Sequence, residues 1–446
     1  MYKKKYLLFI GLSSLLLIAI VIGRAPYRHL GALFVSDGFG YYIYLPSVII
    51  DRDLDLKNQI EHQPCQLKHW TFTFVSQTGR FGNIFQIGCA VLWLPFFLLA
   101  HCLVFILIKL GFSLDVNGFG YFYELPVYIG SFIYGLLGIF FMWRLVREIF
   151  DDKIADNSVL YIVLASPVAA YLWFEPDMSH IISLFLISIF FYYLYRVYIL
   201  VDQRLSSWAL LGALLGLIVL VRVPDGLVGL LAFSVWLKIF FLDKYKTNHE
   251  YKAAFKTCVI FICSTILVFS PQLFVWKILY GSFLTIPPNP FYNKIQWLKP
   301  DLFNYLFSTM HGLFSWTPIL CLASIGIIWL FFLDNYFLKV SSLIFLLAIY
   351  FNSSIYRWWA GCSFGERRMV DYSVIFALGL GFILFNLRNF LKKKMSWILV
   401  TLLILYNWIL MIRYFTHDLP EYGNVSFCNL YIKTIVFPLT FLKRFF

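Results

Sequence analysis

Long apolar runs separated by short polar connectors extend over most of the 446 residues. A helix that crosses a bilayer needs roughly 20 consecutive apolar residues, and most of the runs approach that length. The pattern predicts an all-α polytopic membrane protein with about eleven transmembrane helices. The clean runs are 6–22, 124–143, 157–173, 181–199, 207–221, 227–242, 257–279, 312–333, 339–352, 373–387 and 396–412.

The connectors divide into those rich and those poor in Lys and Arg. Cytoplasmic loops carry an excess of basic residues, so the rich connectors should face the cytoplasm together with the N-terminus. Two connectors with few basic residues, 174–180 and 281–311, should face outside, as should the tail from Arg413. The basic connectors are 1–5, 144–153, 196–204, 238–256 and 388–394.

A further apolar run, 84–108, is ambiguous. If it crossed the membrane, the lysine-rich connector 238–256 would lie outside, against the distribution of positive charge. We therefore expect a re-entrant or membrane-surface segment within a first external region, 24–123, that contains surface helices. The whole chain, 1–446, is then one transmembrane domain. Its other external parts are the loops 281–311 and 353–372 and the short tail 413–446.

The composition excludes a water-soluble domain. Hydrophobic residues make up 61% of the chain and charged residues 13%, against about 25% charged residues in soluble domains. The net charge of +13 comes from short basic clusters between apolar runs, which indicates topology rather than nucleic-acid binding. The eight cysteines form no CxxC pair, so no zinc site or disulfide framework is predicted.

The position of the charges bears on function. Ionisable residues near the bilayer midplane mark ion pathways, and the centres of nearly all the spans carry none. The charges gather instead at the external ends of the spans, which predicts chemistry at one membrane face. These residues are Asp37, Asp51, Asp53, Asp55, Glu175, Asp177, Arg222, Asp225, Arg357, Glu366, Arg367, Arg368 and Asp371.

The segment 36–56 places four acids beside a tyrosine cluster, Tyr41, Tyr42 and Tyr44. One interpretation is structural: Ser36 or Asp37 caps a short interfacial helix, and the tyrosines anchor it in the headgroup layer. The other is that Asp37 acts on a substrate at the membrane surface. The residue types leave both open.

Two further positions have a functional and a structural interpretation. The motif FEPDMSH offers Glu175, Asp177 and His180 for a divalent cation or an acceptor hydroxyl, or it is an ordinary polar turn. Arg222 in VLVRVPDG could bind phosphate or pair locally with Asp225.

Segment 356–371, YRWWAGCSFGERRMVD, carries three arginines on the face expected to be poor in basic residues. Guanidinium groups match phosphate oxygens in a bidentate manner, and Arg357 adjoins two tryptophans. The alternative is a solvated loop in which Arg367 or Arg368 pairs with Glu366 or Asp371. His311, near Trp316 at the start of the next run, is expected to be an interfacial anchor.

Taken together, these elements resemble the integral-membrane glycosyltransferases of the GT-C superfamily, especially the bacterial relatives of protein mannosyltransferases and the aminoarabinose transferase. The matching elements are the first helix, Asp37 in SDGFGYY, Asp177 in the second external loop, and the late Arg367 and Arg368. The resemblance covers the N-terminal half well and the C-terminal half loosely. The chain departs by lacking a large soluble C-terminal domain and a clear DxD motif in the first loop.

The resemblance implies a sugar transferase of the bacterial cytoplasmic membrane whose site faces the periplasm or exterior. The donor would be a polyprenyl-phosphate-linked sugar and the acceptor a lipid, glycan or protein. Asp37 would be the general base of an inverting transfer; the cofactor is unknown, with a divalent cation as an open alternative. The rival function is a polytopic lipid or sugar transporter or flippase. The implied substrate-binding residues are Tyr41, Tyr42, Glu175, Asp177, His180, Arg222, Arg357, Arg367 and Arg368.

Overall fold

The computed structural model describes residues 10–18, 33–62, 74–242, 248–287, 294–388 and 393–442. Over these residues the chain is helical, and its only β-pairing consists of two isolated bridges, Val75 with Phe81 and Ile295 with Ile355. The predicted all-α fold is confirmed. Residues 10–18, within the predicted first span, are helical.

The helices that follow vary from about one turn to about nine. They are α1 (Ser36–Tyr42), α2 (Lys57–His62), α3 (Gly88–Lys109), α4 (Tyr121–Ile149), α5 (Asp152–Ala165), α6 (Ser179–Leu200), α7 (Leu205–Val221), α8 (Gly229–Leu237), α9 (Asn248–Tyr280), α10 (Leu302–Phe307), α11 (Leu313–Trp316), α12 (Pro318–Phe331), α13 (Tyr336–Ser354), α14 (Ser373–Leu387), α15 (Lys393–Phe415) and α16 (Lys433–Leu442). Shorter helical segments are Tyr44–Pro46, Ser47–Asp51, Ala170–Phe174, Val223–Val228, Lys238–Leu242, Arg367–Met369 and Cys428–Ile432.

Apolar run length predicts most of these helices because a helix in lipid must satisfy its own backbone. The run 373–387 coincides with α14, and 207–221 falls two residues short of α7 at its start. Among the described residues, seven helices are long and apolar enough to cross a membrane, and three shorter apolar helices accompany them. The chain is thus an integral, multi-pass membrane protein, but the count of eleven crossings is not confirmed. One of the seven helices is α3, so its length and composition do not support the prediction that the run 84–108 stays on one side of the membrane.

Helices α4 and α6 run in the same direction. The glycines of α4 allow this close approach: a Cβ at Gly135 would overlap Ile181, and one at Gly138 would overlap Leu184. Helix α7 returns in the opposite direction, from Leu205 to Val221. The start of α6, the end of α7 and the start of α14 therefore lie at one end of the bundle, called here the site end.

Helix α3 follows only the N-terminal half of α4, in the antiparallel sense. Its Trp93 Nε1 donates to Ser131 Oγ at 2.6 Å, and the α4 residue Tyr134 donates to Leu92 O at 2.9 Å. Further along α3, His101 Nδ1 lies 2.7 Å from Tyr123 OH. The two helices therefore separate at the level where α4 meets α6, and α3 extends away from the half of α4 that runs beside α6.

The tail beyond α15 folds back onto the bundle. Arg413, 2% exposed in its side chain, donates through Nε to Asp418 Oδ2 at 2.7 Å. Its Nη1 atom donates to Asn429 O and Thr434 Oγ1, both at 2.7 Å. The predicted extended loop 281–311 contains α10, and residues 288–293 of that loop lie outside the described residues.

Candidate active site

Four segments that are far apart in the sequence meet at the site end. They are α1, the residues just before and at the start of α6, the residues after α7, and the turn before α14. Each brings a charged side chain to a helix terminus, where the chain changes direction and polar groups are accommodated most readily. Two sets of charges result, and their carboxylates differ in access to solvent: the side chain of Asp37 is 23% exposed, whereas those of Asp225 and Asp371 are 3% and 0% exposed.

The accessible pair consists of Asp37 and Arg367. Arg367 Nη1 lies 2.9 Å from Asp37 Oδ2, and the side chains are 12% and 23% exposed, respectively. Asp37 is in the first turn of α1, but the N-cap residue is Val35, and no side chain caps the helix. The capping interpretation of Ser36 or Asp37 is therefore wrong, because the Asp37 carboxylate points to a guanidinium from a distant loop.

Asp177 lies directly against α1. A Cβ at Gly38 would overlap the Asp177 carboxylate, so the absence of a side chain at position 38 lets the two loops touch. Met178 continues the contact, with its Sδ 3.9 Å from Arg367 Nη1. The second predicted acid is therefore a neighbour of Asp37, although Asp177 itself is only 2% exposed.

The buried cluster consists of His180, Arg222, Asp225 and Asp371. Arg222 Nε lies 3.0 Å from Asp371 Oδ2 and 3.4 Å from Asp225 Oδ2. His180 Nδ1 is 2.9 Å from the other oxygen of Asp371, whose side chain is fully buried. Burial raises the pKa of Asp371, and the nearby Asp225 raises it further. The predicted local pair of Arg222 with Asp225 is present, but Asp371 lies closer.

A chain of hydroxyl groups connects the buried cluster to α1. Arg222 Nη1 donates to Ser179 Oγ at 3.3 Å, and Ser179 donates to Tyr41 OH at 3.0 Å. Burial raises the pKa of Tyr41, so this hydroxyl remains protonated at neutral pH. Tyr41 therefore reaches the site from a position only four residues after Asp37.

The other two tyrosines of the cluster support the fold of the first external region. Tyr42 OH donates to Gly118 O at 2.6 Å and Tyr44 OH donates to Phe85 O at 2.9 Å. Both side chains are buried within the protein. The interpretation of these tyrosines as headgroup anchors is wrong, since their hydroxyl groups bond to interior carbonyls. Tyr42 lies outside both charge sets.

Arg368 holds the turn that precedes it. Its Nη1 and Nη2 atoms donate to the carbonyls of Trp358 and Arg357 at 3.1 and 3.2 Å, and the residue is 7% exposed. The half-buried Arg357 contributes its backbone to this contact. A phosphate-binding role for either arginine stays a prediction.

Glu366 is a buried acid beside the accessible pair. Its Oε1 accepts a hydrogen bond from the backbone N–H of Arg368 at 3.4 Å, and it is 1% exposed. Burial raises the pKa of Glu366 to about 7, although Arg368, Arg367 and Arg222 oppose the rise. The carboxyl group of Glu366 therefore titrates near neutrality.

The three candidates in FEPDMSH have different surroundings. Asp177 faces Gly38 and His180 faces Asp371, while the half-buried Glu175 lies in the electrostatic environment of Tyr171 and Tyr414.

Within the described part of the chain, no three His, Cys, Asp or Glu side chains are grouped to hold a metal ion. We therefore derive no chemical step through a metal.

Sequence reasoning missed the central position of Asp371 and the contribution of Ser179. Asp371 was expected only as a partner of Arg367 or Arg368, and Ser179 carried no signal. The prediction for His311 is wrong. It is 1% exposed and its ring packs against that of Trp316 at an angle of 32°, with ring centroids 4.8 Å apart, so it lies inside the protein rather than at the interface.

The sequence profile of the family described as dolichyl-phosphate-mannose-protein mannosyltransferase matches residues 102–275. No curated protein matches the sequence. The fold is similar to that of ArnT from Cupriavidus metallidurans in the apo state, with 13% identity, a TM-score of 0.54, and coverage of 99% of this chain and 70% of that chain.

AglB from Archaeoglobus fulgidus, solved with an inhibitory peptide and a dolichol-phosphate, is also similar. The identity is 13% and the TM-score 0.47, and the match covers 98% of this chain but 54% of AglB. The chain thus spans about half the length of AglB. The partial family match and the ArnT-like fold agree with the predicted resemblance: residues 102–275 are similar to the mannosyltransferase family profile, and the chain as a whole has a fold like that of ArnT.

Proposed function

We propose that this protein is a glycosyltransferase that moves a sugar from a polyprenyl-phosphate-linked donor to an acceptor at the external membrane face. The observation that carries the proposal is the meeting of Asp37, Asp177 and Arg367 at one end of an ArnT-like bundle. A transfer at a membrane surface needs a base for the acceptor and a cation for the lipid phosphate, and these residues supply both.

The proposed reaction is a single displacement with inversion at the anomeric carbon. The acceptor hydroxyl oxygen attacks this carbon, while the bond to the phosphate oxygen breaks and its electron pair leaves with the polyprenyl phosphate. Asp37 takes the hydroxyl proton. Its carboxylate is partly exposed, so an acceptor can reach it without dismantling the buried cluster.

Arg367 has two uses in this scheme. In the structure its guanidinium neutralises Asp37. A donor phosphate offers the same guanidinium a second anion, and arginine binds phosphate oxygens in a bidentate manner. Transfer of Arg367 to the phosphate would leave the Asp37 carboxylate available as a base. Donor binding should therefore precede deprotonation of the acceptor.

An apolar surface suited to the donor tail lies beside the arginine-containing turn. The backbone of Gln296 donates to Ser354 O at 2.7 Å, which holds segment 294–299 against the end of α13. Next to this contact, Leu298 is 96% exposed and Trp297 is 51% exposed. A polyprenyl chain would cover such side chains at the level of the lipid.

The decisive experiment is a transfer assay with Asp37→Asn. Loss of a general base costs about a hundred- to ten-thousandfold in rate, whereas asparagine keeps the size of the side chain. We expect a stable protein that binds the donor lipid and transfers almost no sugar. Asp115→Asn, at an exposed acid of the same external region, is the matched control and should retain activity.

Near wild-type transfer by Asp37→Asn would remove Asp37 as the base. A protein that moves labelled lipid between leaflets, with no transfer to any acceptor, would instead support the transporter. The assay should include envelope glycolipids and glycoproteins as acceptors, because nothing in the site identifies the acceptor.

The orientation in this proposal requires that 84–108 does not cross the membrane. The pairing of α3 with only the N-terminal half of α4 supports this. In a background without reactive native cysteines, Asp115→Cys should react with an impermeant reagent from outside. Lys153→Cys, on the basic connector, should not. Both positions are exposed, so protection at position 115 with reaction at 153 would overturn the orientation.

A further inference from the structure

A cavity with several charged side chains lies at the end of the bundle opposite the site end. It has a volume of about 340 Å³ and is bordered by the end of α4, the end of α6 and the start of α7. The α7 residues that line it, Ser207, Leu210 and Leu211, lie about 16 to 23 Å from Arg222 along the helix axis. Nothing in the proposed transfer reaction uses it.

Three arginines meet at this cavity: Arg144, Arg196 and Arg204. Arg144 Nη2 donates to Tyr192 OH at 2.6 Å and lies 3.7 Å from Glu148, which also accepts from Arg196 at 3.4 Å. Two guanidinium groups therefore share one carboxylate. An additional anion between them would be attracted rather than repelled.

Arg204 completes the polar wall. Its Nε atom donates to both carboxylate oxygens of Asp202 at 3.0 Å, and its Nη2 atom donates to Oδ2 at 2.7 Å. The side chain of Arg204 is nevertheless 73% exposed. This contact lowers the pKa of Asp202 to about 2 and fixes the arginine at the rim. The cavity thus has three guanidinium groups against two carboxylates, Glu148 and Asp202.

The wall below the arginines is apolar and faces outward. Leu200 and Leu210 line the cavity and are 58% and 43% exposed, and Ile199 beside them is 53% exposed. Exposed apolar side chains on a membrane helix face acyl chains. A ligand with an anionic head and apolar tails would match both parts of the cavity.

We propose that this cavity binds the headgroup of an anionic phospholipid, with its phosphate between Arg144 and Arg196 and its acyl chains along Leu200 and Leu210. Basic pockets between transmembrane helices are suited to such headgroups. The bound lipid would bridge α4, α6 and α7 and stabilise their packing at the end away from the site.

The experiment compares thermal unfolding of the purified full-length protein in neutral detergent with added phosphatidylglycerol or with phosphatidylcholine of the same chains. We expect only phosphatidylglycerol to raise the Tm. Arg196→Gln, at a half-exposed position, and Arg144→Gln should each weaken phosphatidylglycerol binding about fivefold. Native mass spectrometry should count correspondingly fewer bound lipids.

Arg388→Gln is the matched control. Arg388 is equally exposed at the same end of the bundle and pairs with Asp151 at 3.8 Å, but it does not line the cavity. Its phosphatidylglycerol binding should equal that of wild type. Unchanged binding in the Arg144 and Arg196 variants would overturn the proposal. The proposal would also be overturned if inorganic phosphate raised the Tm as much as phosphatidylglycerol does, because the acyl chains would then contribute nothing to binding.

Discussion

The accessible pair and the buried cluster use the same chemical groups in different surroundings. Asp37 and Arg367 form one ion pair at the solvent-facing side of the site. In the buried cluster, Arg222 stands between two carboxylates, and Asp371 also receives His180. A pair whose carboxylate is partly open to water separates at a smaller cost than a pair whose carboxylate is buried, because water can solvate the exposed charge. The accessible pair is therefore suited to exchanging partners with a substrate, and the buried cluster to holding the loops.

The same comparison shows which of the predicted arginines is best placed to bind the donor phosphate. Arg222 and Arg368 were expected to bind phosphate together with Arg367. Arg222 already faces two carboxylates, and Arg368 is bonded to carbonyls of its own turn. Only Arg367 is paired with a group that the proposed reaction needs to release. It is the strongest candidate for the donor phosphate.

The largest expected effect on stability is that of Arg222→Ala. This substitution leaves the buried carboxylates of Asp225 and Asp371 without their shared cation and should reduce the free energy of unfolding by about 3 to 5 kcal/mol. Asp37→Ala should reduce it by about 1 kcal/mol, because the Asp37 carboxylate is partly open to water. Chemical unfolding in detergent measures both. Equal stability of the two variants would remove the distinction between the two sets.

The second prediction concerns pH and Glu366. Its pKa in the folded protein is about 7, above the usual value of about 4.3 in an unfolded chain. The folded state therefore binds the Glu366 proton more tightly than the unfolded state does. The protonated carboxyl group contributes its full share to the free energy of unfolding below pH 4.3, and this contribution is lost as the pH rises to 7. The difference corresponds to about 4 kcal/mol. Glu366→Gln should unfold with a weaker dependence on pH between 4.5 and 7 than wild type, and an unchanged profile would contradict the raised pKa.

A smaller effect is expected for Arg367→Ala. Loss of a charge-assisted contact to phosphate costs roughly 1.5 to 3 kcal/mol, or about ten- to a hundredfold in donor affinity. Arg367→Lys should also weaken binding, because an ammonium group cannot reproduce the bidentate contact. Binding of a labelled donor lipid measures these changes, with Arg357→Lys as a control on the same turn. Donor affinity unaffected in both Arg367 variants would assign the phosphate elsewhere.

Most of the helices, and the gathering of charges at their ends, could be predicted from the amino-acid sequence alone. Helix α14 begins and ends where its apolar run does, and α6 extends the predicted run 181–199 by only two residues at its start. This success has a local cause, because a backbone in lipid must form its hydrogen bonds within the same helix. The concentration of acids and arginines outside the spans was also readable, since charge at the midplane is expensive.

Which of these charges meet could not be predicted, because it depends on how distant loops pack together. Local spacing predicts the contact of Arg222 with Asp225, yet the closer partner is Asp371, from a loop that lies six helices later in the chain. Asp37 meets Arg367 across most of the sequence, and Gly38 permits the approach of Asp177 only because the two loops are packed together. The direction in which a tyrosine points is likewise unreadable from its chemical type, as the interior bond of Tyr42 shows. An apolar run specifies its own helix, but the partner of a charge depends on how all the helices pack.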